Sequence, residues 1–113
     1  MKLSVTSWSF PQCSFEEAVG LSSLLNINAI DISYFYRSAL DKALLLQDYK
    51  QIVDQINKYE IDYANLYHLF GNSLEDRNLA DTNNLNDNVT DLKKVTDFCV
   101  DANIPSILFY QVW

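Results

Sequence analysis

The chain has 113 residues, 49% of them hydrophobic and 20% charged, enough apolar material for one packed domain and too much for a disordered segment. Fifteen acidic against eight basic residues give a formal net charge of −7, and no Lys/Arg cluster interrupts the acidic balance. That leaves no electrostatic footprint for a phosphate backbone, so nucleic acid is excluded as the expected partner.

The opening MKLSVTSWSFPQCSF lacks an apolar run long enough for a signal-peptide core, and nowhere do about 18 apolar residues follow one another. The expectation is a soluble, cytoplasmic protein that does not enter a membrane. Cys13 and Cys99 fit neither a metal-ligand spacing nor a disulfide framework and read as reduced thiols. The Asn88–Thr90 triplet matches a glycosylation acceptor, but it falls inside a helical pattern with no secretory signal and carries no consequence.

In chain order, KLSVT at 2–6 alternates apolar Leu3 and Val5 with polar Ser4 and Thr6, the period of a strand with one apolar face. After the loop SWSFPQC, Ser14 followed by Glu17 forms a capping box, and Phe15, Ala18, Val19, Leu21, Leu24 and Leu25 predict a broad apolar helix stripe. NAIDIS at 28–33 is a second strand, with Ile30 and Ile32 on one face and Ala29, Asp31 and Ser33 on the other. YFYRSALDKALLLQ reads as an irregular loop with one helical turn, after which Asp48 is expected to cap a helix carrying Tyr49, Ile52, Val53, Ile56 and Tyr59. Ile61 to Tyr67 supplies strand three, and GNSLEDRNLADTNN a polar loop. A long helix follows from about Leu85 to Ala102, with Leu85, Val89, Leu92, Val95, Cys99 and Ala102 along one side. PSILFYQVW is strand four. With glycine scarce, Asn26 and Asn103 near helix ends stand where a left-handed backbone is needed.

Helices between consecutive strands imply an α/β fold built on a parallel sheet with right-handed crossovers, in one domain spanning 1–113. Four stretches in this order, KLSVTSWSF, AIDIS, NLYHLFG and ANIPSILFY, resemble the N-terminal part of the sugar phosphate isomerase/epimerase family, the xylose isomerase-like TIM barrels. A full barrel needs about 250 residues, so the resemblance implies the N-terminal half of one, about four strands and three helices. It further implies a sugar or polyol as the small-molecule partner. In a complete family member a divalent metal is held by residues of the second half, so no metal ligand or cofactor is assigned here and this chain alone is expected to be inactive. Asp31 stands where many members carry glutamate.

In such a fold the functional groups gather at the C-terminal ends of strands. That rule selects Ser7, Trp8 and Ser9, Asp31 and Ser33, His68 and Tyr110, of which Trp8, Asp31, His68 and Tyr110 are the substrate-pocket candidates. His68, the only histidine, could donate a hydrogen bond to a sugar hydroxyl, or could be a core residue satisfied by a backbone carbonyl. Asp31 points into the barrel and needs a partner there, whether it orients a ligand or neighbouring strands. Trp8 offers an aromatic face to a sugar or packs at the rim. Arg37 could meet an anion but reads as solvated, and Cys13 as incidental. No Ser/His/Asp set, glycine-rich phosphate loop or His/Cys metal spacing can be assembled. Two other functions stay open: a non-catalytic half-barrel whose copies dimerise to cover open sheet edges, and an endonuclease IV-like DNA-repair barrel, which the acidic balance opposes.

Overall fold

The computed structural model describes residues 2–34 and 36–110, the side chain of Tyr110 excepted. Strands β1 (Val5–Thr6), β2 (Ala29–Ile32), β3 (Asp62–Leu69) and β4 (Ile107–Tyr110) alternate with helices α1 (Phe15–Leu24), α2 (Lys42–Asn57) and α3 (Leu85–Asp101). The sheet is parallel throughout and its spatial order is β1-β2-β3-β4, the order of the sequence. One layer of helix covers one face. Ala18 and Val19 from α1, Leu45, Ile52 and Ile56 from α2, and Val95, Phe98 and Cys99 from α3 all close on Ile30, Ile32, Tyr63 and Leu66 of the sheet. A doubly wound sheet would carry helices on both faces; a singly wound one leaves the second face uncovered, as a half-barrel unit does.

Local signals explain the element boundaries. The Ser14 hydroxyl accepts from the Glu17 amide at 3.1 Å and the Glu17 carboxylate accepts from the Ser14 amide at 3.0 Å, the reciprocal box expected for α1. Asn26 and Asn103 do take left-handed backbones, at φ 58° and 56°, and end α1 and α3 as glycine would. At Gly71 (φ 73°) the Asp76 carboxylate occupies the space a Cβ would need, while accepting from the Asn72 amide at 2.8 Å.

Three expectations need correction. Helix α2 begins at Lys42, capped by Asp41, whose carboxylate accepts from the Leu44 amide at 3.1 Å; Asp48 has an extended backbone (φ −151°, ψ 82°) that divides it, so the stretch from Tyr49 starts where expected and the helical turn before it is longer than expected and continuous with it. Leu45 explains the earlier start, because it packs fully into the core. On α1, Leu24 and Leu25 are exposed, and Ala18, Val19 and Ser22 form the buried stripe: small residues let the helix lie close to the sheet. On α3, Leu85 and Val89 are exposed and the inward face is Asn88, Asp91, Val95, Phe98 and Cys99. Polar Asn88 and Asp91 can face inward because the loop before α3 supplies their partners: Asn88 donates to the Arg77 carbonyl at 3.0 Å, and Asp91 pairs with the Arg77 guanidinium.

Strand β3 carries one residue more than its partner. Ile30 pairs with Tyr63 but Asp31 pairs with Asn65, so Ala64 is the extra residue of a bulge. Tyr63 and Leu66 both face the helices as a result, and Asn65 and Tyr67 both face the uncovered side.

Candidate functional site

On the uncovered face, polar side chains link across all four strands. Ser4, just before β1, donates to Asp31 Oδ1 at 2.6 Å; the Tyr67 hydroxyl meets Asp31 Oδ2 at 3.4 Å; and Ser106, just before β4, donates to Asn65 Oδ1 at 2.8 Å. The alternation of β2 places Ile30 and Ile32 in the core and leaves Asp31 between them on the opposite face. Its carboxylate therefore has the partners that its position demands. Burial first, then the Asp31 charge, pushes the Tyr67 phenol above its ordinary value, so it remains a hydrogen-bond donor at neutral pH.

Trp8 lies over this group. It sits on a single 3₁₀ turn (Ser7–Ser9) directly after β1, its ring centroid 5.1 Å from that of Tyr67 at 38°, and its indole N–H donates to the Ser33 hydroxyl. Of the pocket candidates, Trp8 and Asp31 thus share one face and share Tyr67 as a neighbour. Tyr67 and Asn65 escape sequence reasoning; only the bulge at Ala64 puts them beside Asp31.

His68 is on the other side of the sheet. It is fully buried, its Nδ1 is 3.3 Å from the Tyr34 hydroxyl, and its ring packs edge-on against Tyr34 (5.5 Å), Phe70 (4.7 Å) and Phe109 (6.3 Å). Nε2 is buried with no hydrogen-bond partner among the described residues. Burial, with smaller contributions from the Lys42 and Arg77 charges, lowers its pKa from 6.5 to about 4. The imidazole is neutral at physiological pH. Tyr110 ends β4, in register with Leu69, and its side chain lies outside the described residues.

The remaining candidates take structural places. Arg37 donates to the Gln12 carbonyl at 2.9 Å and ties the loop after β2 to the loop after β1. Ser7 is buried, and its carbonyl accepts from the Ser38 hydroxyl at 2.8 Å. Cys99 is buried in the core, where desolvation pushes its thiol up to about 12. Among the described residues no three His, Cys, Asp or Glu side chains converge to hold a metal ion, and both Asp31 carboxylate oxygens already have partners.

This arrangement can bind: an acceptor carboxylate, a phenolic oxygen that donates to it, and an indole ring stand together on an open surface. Compared with protein-family models, curated proteins and solved structures, the chain finds no match. No helix among the described residues is long and apolar enough to cross a membrane.

Proposed function

We propose that the uncovered face binds a small sugar or polyol, and that the chain is the N-terminal part of a barrel of the sugar phosphate isomerase/epimerase type. The observation that carries this is Asp31, held between Ser4 and Tyr67, against which the Trp8 ring packs, on the open face of a singly wound parallel sheet. The Asp31 carboxylate accepts from sugar hydroxyls, the Tyr67 phenolic oxygen, its proton turned to Asp31, accepts as well, and an indole packs against the C–H face of the ring. Isomerisation also needs an acid/base pair and an electrophile for the carbonyl, which this face does not supply. The chain by itself binds without turnover.

The test is a titration of the chain with D-xylose, D-fructose and xylitol, followed through the Trp8 indole N–H resonance by NMR. A saturating shift that Asp31→Asn and Trp8→Ala weaken is expected. No shift with any of the three overturns the binding role. Metal-dependent aldose–ketose turnover by the chain alone, abolished in His68→Asn, overturns the claim that it lacks the catalytic apparatus.

A second reading has its own observation. Among the described residues β1 and β4 each pair on one side only, and Leu3 (61% exposed), Leu108 (50%) and Phe109 (44%) lie along those edges. A second copy related by a twofold axis would add its β1 to this β4 in parallel, and the reverse, closing eight strands without a free edge. Light scattering that gives twice 13.0 kDa supports it, and a soluble, cooperatively melting monomer refutes it. The endonuclease IV-like reading has only its topology, and tight binding of abasic-site DNA at physiological salt would be needed to restore it.

A further inference from the structure

Helix α3 meets the sheet with one stripe and carries a second that faces solvent. Leu85, Val89, Leu92, Thr96 and Val100 recur at every third or fourth position, which lines them up about a quarter-turn from the buried Val95 and Cys99. Leu92 is half-buried and the other four are exposed. The opposite flank of the helix belongs to α2, whose Tyr49 hydroxyl donates to Asp101. Along the free stripe a cleft of about 500 Å³ runs between Val89, Leu92 and Thr96 and the charges of Lys93 and Asp97. Neither charge is in an ion pair among the described residues.

We propose that α3 is a self-association surface, which takes the same helix of a second copy, antiparallel, across a twofold axis at the height of Lys94 and Val95. In such a pair each residue meets the one equally far beyond the axis. Val89 meets Val100, Leu92 meets Thr96 and Lys93 meets Asp97, and the midpoints of these pairs fall at Lys94, at Val95 or between them. A single register thus fills the apolar cleft and closes an ion pair on either side of the axis.

The charges also select the occupant. A parallel pair would set Lys93 on Lys93 and Asp97 on Asp97, like against like. A helix of one charge sign from another protein would satisfy either Lys93 or Asp97 and repel the other, whereas a second copy satisfies both. One helix pair covers less than the ~1,200 Å² at which standard interfaces begin, so the dimer forms reversibly and at high concentration. The eight-strand closure of β1 onto β4 is a different contact: its axis runs along the strands and keeps the two α3 helices on opposite sides.

The experiment is sedimentation velocity on the full chain from micromolar to millimolar concentration, where a monomer–dimer equilibrium is expected. Val89→Asp should weaken it about tenfold or more, and Lys93→Asp or Asp97→Lys alone severalfold, with little change in thermal midpoint because these side chains face water. The double variant, Lys93→Asp with Asp97→Lys, should restore association, since the exchanged charges still meet. Leu108→Lys, on the β4 edge, should leave it unchanged. A chain that stays monomeric at millimolar concentration, a dimer that survives Val89→Asp, or a double variant no stronger than the single ones overturns the proposal. A dimer lost only in Leu108→Lys belongs to the edge closure and overturns it too. Sugar binding, read at the Trp8 indole, does not depend on α3, so either result stands without the other.

Discussion

Neighbouring residues of one strand, Tyr67 and His68, show how differently the two faces of the sheet are built. Tyr67 joins a polar chain of Ser4, Asp31 and Ser106 that water can reach, with Asn65 buried beside them; His68 is sealed among Tyr34, Phe70 and Phe109 with one ring nitrogen unpartnered among the described residues. On the covered face a polar atom costs stability and an apolar one supplies it. On the open face the exposed polar atoms cost little, because solvent substitutes for a partner they lack, and only the buried Nδ2 of Asn65 shares the predicament of His68 Nε2 among the described residues of these two groups. Chemistry that needs ligand access therefore belongs to the open face and the strand ends, and the covered face is where substitutions unfold the chain.

The largest effect should come from the covered face. Phe98→Ala removes a fully buried ring and is expected to cost about 3–5 kcal/mol in urea denaturation, a large share of the stability of a domain this size. Next comes His68, through pH. Its folded pKa of about 4 lies below the ordinary 6.5, so between those values the unfolded chain binds the extra proton and stability rises with pH. Below pH 4 both states are protonated and the full penalty, on the order of 3 kcal/mol, is in place. His68→Phe should flatten the stability profile between pH 4 and 6.5 relative to wild type; an unchanged slope there would mean the ring is hydrated and the covered face is not sealed.

Gly71→Ala forces both a left-handed backbone and a clash with Asp76, and about 1–3 kcal/mol of destabilisation is expected. Adding Asp76→Ala should recover only the clash, so the double-mutant cycle separates the two terms. The smallest effect is predicted on the open face: Asp31→Asn should change stability by about 1 kcal/mol or less, since its hydrogen bonds form within reach of water. If it costs as much as Phe98→Ala, the open face is structural and the contrast between the faces collapses.

Much of this architecture is legible in the residues. The capping box at Ser14 and Glu17, the alternation around Asp31 and the asparagines at helix ends are local signals, and local geometry honours them. What the sequence hides depends on partners distant along the chain. Asp48 does interrupt the helical backbone, yet Leu45 reaches the core and a further helical stretch from Lys42 precedes it. Asn88 and Asp91 look solvent-facing until Arg77, with its positive φ of 50°, turns its carbonyl and guanidinium toward them. The face taken by His68 was hidden for the same reason. Nothing in IDYANLYHL marks Ala64 as an unpaired residue; the irregularity belongs to the pairing with β2.

That extra residue gives β3 something like a reading frame with two settings. Upstream of Ala64 the odd-numbered Tyr63 faces the helices; downstream the even-numbered Leu66 and His68 do. A relative that lacks the bulge would present its chemistry one position out of step, so an ungapped alignment would match residues that look in opposite directions. Deleting Ala64 would remove the bulge and let Asn65 follow Tyr63 in the ladder, so that Tyr67 keeps the open side and His68 the covered one; pairing Ala64 regularly with β2 would instead turn the downstream half of the strand over and leave Leu66 facing water.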